Sequence, residues 1–230
     1  MHRVLQRYGC PPLTHLNRAT GRPVRRYGHN APCDLVHVDV KKLGNIPDGG
    51  GHRVHGRAIG RRNSSAHRDP DRPRTTPGRP NLGYGYLHTA IDDHCRLAYT
   101  EILPDERQQT AAAFWQRAQQ FFASCGITAR RVLTDNGSCY RSRLRRDTLA
   151  AAAIAHKRTR PFRSQTNGKV EHYHRTLLDE WAYARPYASE SEHRAALAPW
   201  LHMYNHHRGH TALGGLPPAS RVTNLSGQNT

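Results

Sequence analysis

The sequence is poor in cysteine, and its few cysteines form none of the patterns that build a zinc or redox site. Cys10, Cys33, Cys95, Cys125 and Cys139 are odd in number and far apart, and no Cys-x-x-Cys pair is present. This spacing favours neither a disulfide framework nor a cysteine-based metal site. Unpaired cysteines fit a reducing compartment, so we expect a cytoplasmic protein.

Long apolar runs are missing as well. No run approaches the roughly 20 apolar residues that cross a bilayer, and the N-terminus lacks the apolar stretch of a signal peptide. We therefore expect a soluble intracellular protein with no membrane partner.

Acidic residues are few. The 230 residues include 17 Asp and Glu against 35 Lys and Arg, a formal net charge of +18 with His neutral. This excess predicts a polyanionic partner. Because nearly all of it is arginine, whose planar guanidinium suits phosphate, nucleic acid is favoured over a membrane surface. Composition does not separate an enzyme from a packaging protein, and a hydrophobic content of 36% supports one main domain.

Composition divides the chain into three parts. Residues 1–33 have no sustained period and are interpreted as a linker or an N-terminal remnant, residues 34–206 as the main domain, and residues 207–230 as a C-terminal tail. Within the domain, residues 44–80 hold seven Gly and five Pro among many arginines. We expect this segment to be a mobile basic insertion, either a solvated loop or a contact with the DNA backbone.

Residue periodicity predicts an α/β fold. Runs rich in β-branched and aromatic residues predict five short strands, at 35–40, 84–91, 97–103, 131–134 and 154–157. Apolar residues at helical spacing predict helices at 110–125, 142–153, about 170–181 and about 190–204. Early strands followed by alternating helix and strand favour a sandwich of helices and sheet, although the strand order cannot be read from the pattern.

Three carboxylates occupy positions unlike those of the other acidic residues. Asp39 lies near the end of an apolar strand, where an unpaired carboxylate is costly unless a cation neutralises it. Asp135 follows another strand and enters an Asn-Gly turn, which leaves it at the edge of the sheet where α/β sites gather. Glu171 lies one position off the apolar stripe of a helix. Taken singly, each acid is better explained as a helix cap, a turn former or the partner of a surface arginine, because isolated Asp and Glu are usually solvated.

Taken together, the three acids predict a metal site. Oxygen ligands with no cysteine or His-x-x-x-His pair nearby favour magnesium or manganese over zinc. A site with two ions would follow, in which one ion activates the attacking oxygen and the other stabilises the leaving oxygen. We therefore expect Asp39, Asp135 and Glu171 to converge at the carboxyl edge of the central strands.

The segments around these acids carry a family resemblance. His-Val-Asp-Val-Lys-Lys at 37–42, Thr-Asp-Asn-Gly-Ser at 134–138 and Gln-Thr-Asn-Gly-Lys-Val-Glu at 165–171 hold the three acids, and 35 residues separate Asp135 from Glu171. Together with the hairpin segment 92–99 and the closing segment 204–218, they resemble the motifs of insertion-sequence transposases that bear a retroviral-integrase core, within the ribonuclease H-like superfamily. The likeness runs from about residue 10 to the C-terminus.

This resemblance implies a fold, a site and a reaction. The fold would be ribonuclease H-like, a mixed five-stranded sheet flanked by helices, in which the first and fourth strands lie side by side. Asp39, Asp135 and Glu171 would be the catalytic residues and would hold two Mg²⁺ or Mn²⁺ ions. The protein would nick transposon ends and join them to target DNA by transesterification. Its partners would be double-stranded DNA and further copies of itself, at the bacterial nucleoid.

A set of basic and polar residues is expected to contact DNA. They lie beside the acidic motifs or in the basic insertion, and for several of them a solvated surface charge is an equal alternative. The set is Lys41, Lys42, Arg57, Arg61, Arg62, Arg158, Arg160, Arg163, Asn167, Lys169 and His172.

Some alternatives stay open. Relatives usually carry an N-terminal helix-turn-helix domain that recognises the ends of the element, and we expect no room for one before the first strand here, so a catalytically silent DNA-binding remnant is one competing function. A ribonuclease H-like nuclease that acts on RNA–DNA hybrids or junctions is another. Asp92 and Asp93 rival Asp135 as the second acid, but a hairpin turn explains that pair without a metal. The 17 histidines are expected at the surface or facing DNA.

Overall fold

A mixed five-stranded sheet forms the centre of the computed structural model, which describes residues 7–8, 28–29, 31–67, 82–160 and 167–222. The strands are β1 (Val36–Gly44), β2 (Tyr84–Asp92), β3 (Ala98–Leu103), β4 (Arg131–Thr134) and β5 (Ala155–Arg158). They are ordered β3-β2-β1-β4-β5, in which β2 is antiparallel to both β1 and β3, and β1, β4 and β5 are parallel. The predicted fold and the adjacency of the first and fourth strands are confirmed.

Six helices in the described residues accompany the sheet. They are α1 (His52–Ala66), α2 (Gln108–Ser124), α3 (Arg143–Ala151), α4 (Gly168–Leu177), α5 (Glu190–Ala195) and α6 (Leu197–His206). A π-helical turn, Leu178–Ala182, continues α4. The single helix predicted at about 190–204 is instead two helices, because Pro199 lacks the N–H that would bond to the carbonyl of Ala195.

The two faces of the sheet differ in what covers them. On one face, apolar residues such as Val36, Val38 and Val132 pack against α2 and α3. On the other face, Leu87 and Ile91 pack against α4 and α6. Because successive residues of a strand point to opposite faces, the residues of β1 that alternate with its valines lie on the α4 side. The sequence places His37, Asp39 and Lys41 there.

The segment 44–80, expected to be a mobile basic insertion, forms regular secondary structure in much of its described part. The strand β1 continues to Gly44, and α1 follows from His52 to Ala66. The backbone breaks at Gly56, where φ is 79°, and Gly60 lies so close to the backbone of His52 that an added Cβ would meet it at 2.4 Å. Asn63 closes this unit by donating its amide to the carbonyls of Asp48 and Gly50, both at 2.7 Å. Glycine and a side-chain amide thus replace an apolar core, and residues 68–80 lie outside the described residues.

The predicted terminal segments are described only in part. The N-terminal segment 1–33 is described at 7–8, 28–29 and 31–33, and residues 223–230 lie outside the described residues. The described part of the predicted tail, 207–222, packs onto the domain through Leu213, Ala219 and Val222, which are 2%, 7% and 6% exposed. The folded unit therefore extends beyond residue 206. No helix in the described ranges is long and apolar enough to cross a membrane.

A buried arginine lies between α2 and α3. Arg145 is fully buried, with its guanidinium 5.0 Å from the ring centroid of Trp115 and its Nη1 donating to the carbonyl of Ala111 at 3.3 Å. Its Nε and Nη2 have no hydrogen-bond partner among the described residues. Burial lowers the pKa of Arg145 to about 10. The core therefore holds a desolvated charge that is only partly compensated.

We predict that Arg145→Met raises the free energy of unfolding by about 1–3 kcal/mol, because it removes two unsatisfied buried donors and keeps most of the volume. Arg145→Ala, which leaves a cavity, should instead fail to stabilise the protein. Urea denaturation of both variants measures this difference. A methionine variant as unstable as the alanine variant would contradict the prediction and show that the buried charge stabilises the fold.

Candidate active site

Two carboxylates lie at equivalent positions of neighbouring parallel strands. His37 of β1 is paired with Leu133 of β4, and Asp39 and Asp135 each follow two residues later. Continuing this register sets Asp39 beside Asp135 at the end of the β1–β4 ladder. Asp135 follows the last residue of β4, whereas Asp39 lies within β1, which continues along β2 to Gly44 instead of ending near Asp39 as the sequence predicted. Both residues are partly exposed, so both are accessible from solvent.

A tight turn fixes Asp135 at this edge. Its Oδ1 accepts a hydrogen bond from the backbone N–H of Gly137 at 2.8 Å, and Asn136 donates its side-chain amide to the carbonyl of Thr159 at 2.8 Å. A Cβ at position 137 would lie 3.0 Å from Asp135 Oδ1. Glycine at this position therefore lets the carboxylate lie against the turn backbone.

A row of polar side chains crosses the sheet from Asp39 toward β3. Asp39 is paired with Thr89, which is paired in turn with Thr100, and the two threonine hydroxyls are 3.2 Å apart. The helix α4 lies over this row: the Tyr173 hydroxyl is 2.7 Å from the Thr100 hydroxyl, and His174 Nε2 is 3.2 Å from that of Thr89. His174 Nδ1 is 3.6 Å from Asp39 Oδ2. These contacts set the position of α4 over β1.

The helix α4 carries Glu171 in its first turn. Glu171 is exposed and lies three residues before His174, so both project toward the same side of the helix. Val170 and Tyr173, which are 0% and 1% exposed, pack the opposite part of this turn into the core. The helix therefore holds Glu171 near Asp39.

The three carboxylates interact through their charges. Burial raises the pKa of Asp39 to about 7; the backbone N–H of Val40 opposes this rise, and repulsion from Asp135 and Glu171 adds to it. Burial lowers the pKa of His174 to about 4, with a smaller contribution from Lys41, so the imidazole beside Asp39 is neutral at pH 7. Across the described residues, no group of three or more His, Cys, Asp or Glu side chains lies close enough together to coordinate a metal ion as it stands. The acids are thus grouped but do not form a closed set of ligands.

The two rival acids have structural partners. Asp92 accepts hydrogen bonds from the backbone N–H groups of Cys33, His94 and Cys95 at 2.6, 3.0 and 2.6 Å. Asp93 is bonded to His37 and Lys169. Burial alone would raise the pKa of Asp93, but hydrogen bonds from His37 and Lys169 lower it well below its usual range. Both side chains are occupied within the fold, which supports the choice of Asp135.

The residues expected to contact DNA fall into two groups. Those with exposed side chains are Lys42, Arg57, Arg61, Arg62, Arg158, Arg160 and His172, and Lys41 is partly exposed. Asn167 is only 4% exposed and its Oδ1 is 3.0 Å from His37 Nδ1, so it is not available to DNA in this conformation. Lys169 is bonded to Asp93, and Arg163 lies outside the described residues.

The expectation of surface histidines is wrong at four positions. His37, His88, His174 and His193 are at most 5% exposed. Hydrogen bonds explain their burial: His37 bonds Asp93 and Asn167, His88 Nε2 bonds the carbonyl of Asp105, and His174 bonds Thr89. The alternation of His37 with the valines of β1 was the available signal that this side chain shares a face with Asp39. The partners of Thr89 and Thr100 gave no local signal.

Two family models match this chain. Residues 29–164 match a family model described as an integrase core domain, and residues 152–218 match a second model with the same description.

Solved structures of low sequence identity share the fold. The HTLV-2 integrase catalytic core domain, solved in complex with magnesium in its trimeric form, gives a TM-score of 0.55 at 13% identity over 84% of this chain and 98% of that chain. The BIV integrase catalytic core gives 0.51 at 18% identity over 83% and 93%. A chain of the simian T-cell lymphotropic virus intasome gives 0.59 at 16% identity over 99% and 72%. At these identities the likeness shows a common fold.

The raised pKa of Asp39 predicts a pH-dependent effect on stability. Its pKa in the folded state exceeds that of the unfolded chain, so the folded state loses stability as the pH rises from about 4 through about 7. Asp39→Asn removes this penalty. In metal-free buffer it should raise the free energy of unfolding at pH 8 by on the order of 1–3 kcal/mol, and by less at pH 5.

Asp147→Asn is the matched control, because Asp147 is an exposed acid on α3. Urea denaturation at the two pH values measures both variants. Equal effects of the two substitutions at pH 8 would contradict the raised pKa of Asp39.

Proposed function

The chain belongs to the integrase core domain family, and on that premise we propose that it is a transposase that nicks DNA ends and joins them to target DNA. The observation that carries the proposal is the placement of Asp39 and Asp135 side by side on the adjacent parallel strands β1 and β4, just beyond the end of their ladder, with Glu171 on the helix above them. The proposal assigns the catalytic role to these three acids.

The donor set fits a hard divalent cation. Asp39, Asp135 and Glu171 offer carboxylate oxygens, which are the ligands that Mg²⁺ and Mn²⁺ prefer. The charge repulsion that acts on Asp39 is the kind that a bound cation offsets. One relative, the HTLV-2 core, was solved in complex with magnesium. We propose that Asp39 and Asp135 share the cations, of which there would be two, and that Glu171 completes the site.

The reaction consists of two phosphoryl transfers. Bound cations would activate the attacking oxygen and stabilise the leaving oxygen. In the first transfer, an oxygen of water bonds to phosphorus and the bond to the 3′ oxygen breaks, which releases a 3′-hydroxyl. In the second, that hydroxyl attacks a target phosphodiester, loses its proton, and displaces another 3′ oxygen. The protein supplies position and charge, and neither step requires a protein nucleophile.

Exposed basic side chains would hold the DNA. The proposed contacts are the exposed members of the predicted set, with Arg57, Arg61 and Arg62 together on α1. Each phosphate that these side chains neutralise releases counterions, so binding would weaken steeply with salt. Because two DNA ends must be held together, we propose that the protein acts as at least a dimer.

Loss of any one acid is predicted to abolish DNA joining. Asp39→Asn, Asp135→Asn and Glu171→Gln keep shape but remove charge, so each should lower the Mn²⁺-dependent rate by at least about 100-fold while DNA affinity changes little. The assay follows nicking of a supercoiled plasmid and joining of a labelled duplex with a free 3′-hydroxyl, which does not depend on end recognition.

Asp147→Asn again serves as the control and should retain the wild-type rate. A Glu171→Gln variant that joins DNA as fast as the wild type would show the assignment of three acids to be wrong. A wild-type protein that binds DNA but never cuts or joins it would instead favour the silent remnant.

The arginines of α1 are predicted to set part of the salt dependence. Replacing Arg57, Arg61 and Arg62 with Gln should reduce the slope of log affinity against log salt by about 2–3, because roughly 0.9 is lost for each phosphate contact. Replacing Arg130, Arg143 and Arg146, which are also exposed, removes the same charge from another part of the surface. Equal slopes for the two triple variants would show that α1 does not contact DNA.

A further inference from the structure

Four polar side chains form a buried network at the start of α4. His37 Nε2 lies 2.8 Å from Asp93 Oδ1, and His37 Nδ1 lies 3.0 Å from Asn167 Oδ1. Lys169 Nζ donates to the same Oδ1 of Asp93 and lies 3.4 Å from the Asp93 carbonyl. The side chains of His37 and Asp93 are both 0% exposed, and that of Lys169 is 18% exposed. We call these four residues the β1–α4 clamp.

The clamp joins three separate parts of the fold. His37 belongs to β1, Asp93 follows the end of β2, and Asn167 and Lys169 lie at the first turn of α4. The sequence separations are large: 130 residues between His37 and Asn167, and 76 between Asp93 and Lys169. Such contacts form only when the helix has docked in one position on the sheet.

The clamp uses a side chain that would otherwise cap the N-terminus of α4. Asn167 is the N-cap residue, a position where Asn normally accepts a hydrogen bond from the first helical turn. Here its side chain makes no capping bond and reaches His37 instead. A favourable local interaction is thus exchanged for a long-range one, which stabilises the location of the helix more than the helix itself.

The clamp lies next to two proposed catalytic acids. His37 precedes Asp39 by two residues and shares its side of β1, and Lys169 precedes Glu171 by two residues in the same helical turn. His37 and Lys169 both bond Asp93 Oδ1. These two hydrogen bonds therefore fix the separation between the strand that carries Asp39 and the helical turn that carries Glu171. His174 makes the second tie one turn later, through Thr89.

We propose that His37, Asp93, Asn167 and Lys169 are positioning residues that hold Glu171 within reach of the metal ions bound by Asp39 and Asp135. This inference rests on the proposed function. It also gives Lys169 a role other than the DNA contact expected from the sequence, because its ammonium is bonded to a buried carboxylate. Partners of metal ligands set ligand orientation, and their loss commonly weakens metal affinity by 10–100-fold.

A double-mutant cycle tests the clamp. Lys169→Met, Asp93→Asn and the double variant are compared with Lys169→Arg, which keeps the charge, and with Arg117→Met. Arg117 makes a more exposed ion pair with Glu101 between α2 and β3, away from α4. The readouts are Mn²⁺ affinity by calorimetry, amide hydrogen exchange over residues 168–171, the joining rate and the affinity for duplex DNA.

The clamp predicts a specific pattern. Lys169→Met and Asp93→Asn should each lower Mn²⁺ affinity and joining rate by about 10–100-fold, and the double variant should lose no more than the worse single variant. Exchange over 168–171 should rise in all three. DNA affinity should change less than about threefold, and Lys169→Arg should recover most of the lost joining rate. Arg117→Met should leave exchange over 168–171 and Mn²⁺ affinity unchanged.

Other outcomes would overturn the proposal. If Lys169→Met weakens DNA binding and lowers its salt slope by about 1 while Asp93→Asn does neither, Lys169 is a DNA contact. If Arg117→Met raises exchange over 168–171 as much as Lys169→Met does, the clamp has no particular hold on α4. If Asp93→Asn does not fold, the comparison of Lys169→Met with Lys169→Arg still decides.

Failure of the proposed function would be seen separately. In that case Glu171→Gln would leave Mn²⁺ affinity unchanged and the wild type would not join DNA. The exchange measurement would still report whether the clamp holds the first turn of α4, since it depends on neither metal nor DNA.

Discussion

The parallel pairing of β1 with β4 brings together two carboxylates, Asp39 and Asp135, that repel each other. The rest of the site is arranged around this pair. The ladder between the strands is short, with Val36 opposite Val132 and His37 opposite Leu133, and both strands then run on to an aspartate. The apolar contacts of β1 and β4 with α2 and α3 must offset the repulsion, because Asp39 has no cationic side chain bonded to it among the described residues. The folded protein therefore keeps an unfavourably placed carboxylate, that of Asp39, at the proposed catalytic site.

The helices on the two faces of the sheet are held by different interactions. The α2 side is a continuous apolar core that includes Phe114, Trp115 and Phe122, each 0% exposed. The α4 side mixes apolar packing with hydrogen bonds that join Thr89 to Thr100, Thr100 to Tyr173 and Thr89 to His174. Polar contacts are directional, so they fix the rotation and height of a helix more narrowly than apolar packing does. The helix that carries the third acid is the one held in this way.

Local pattern predicted much of this architecture. The strand at Arg131–Thr134 and the helical stripe that includes Val170 and Tyr173 were predicted correctly, because each is a simple apolar period bounded by turn residues. The split between α5 and α6 was missed although Pro199 marks it. The fold of α1 was missed because its order comes from Gly56, Gly60 and Asn63 instead of an apolar stripe.

The site was predictable in part for the same reason. Asp135 follows the end of β4 and Asp39 lies in an apolar strand, as a short window of sequence reveals, but β1 continues beyond Asp39 to Gly44. The assignment of the three acids stays a prediction. The roles of His37, Asn167 and Lys169 depend on partners 56 to 130 residues away in the sequence, which no local pattern contains. Asn167 and Lys169 were accordingly interpreted as DNA contacts, since a polar residue beside an acidic motif gives the same local signal in either role.

The location of a bound metal ion decides whether Asp39 and Asp135 form a shared metal site. Anomalous diffraction from crystals of the protein grown with Mn²⁺ would locate the ion without reference to activity or DNA. The account predicts a manganese peak in contact with the carboxylates of both Asp39 and Asp135, and loss of that peak in Asp135→Asn. Manganese bound only at other residues, with the two carboxylates free of it at a saturating concentration, would contradict the account.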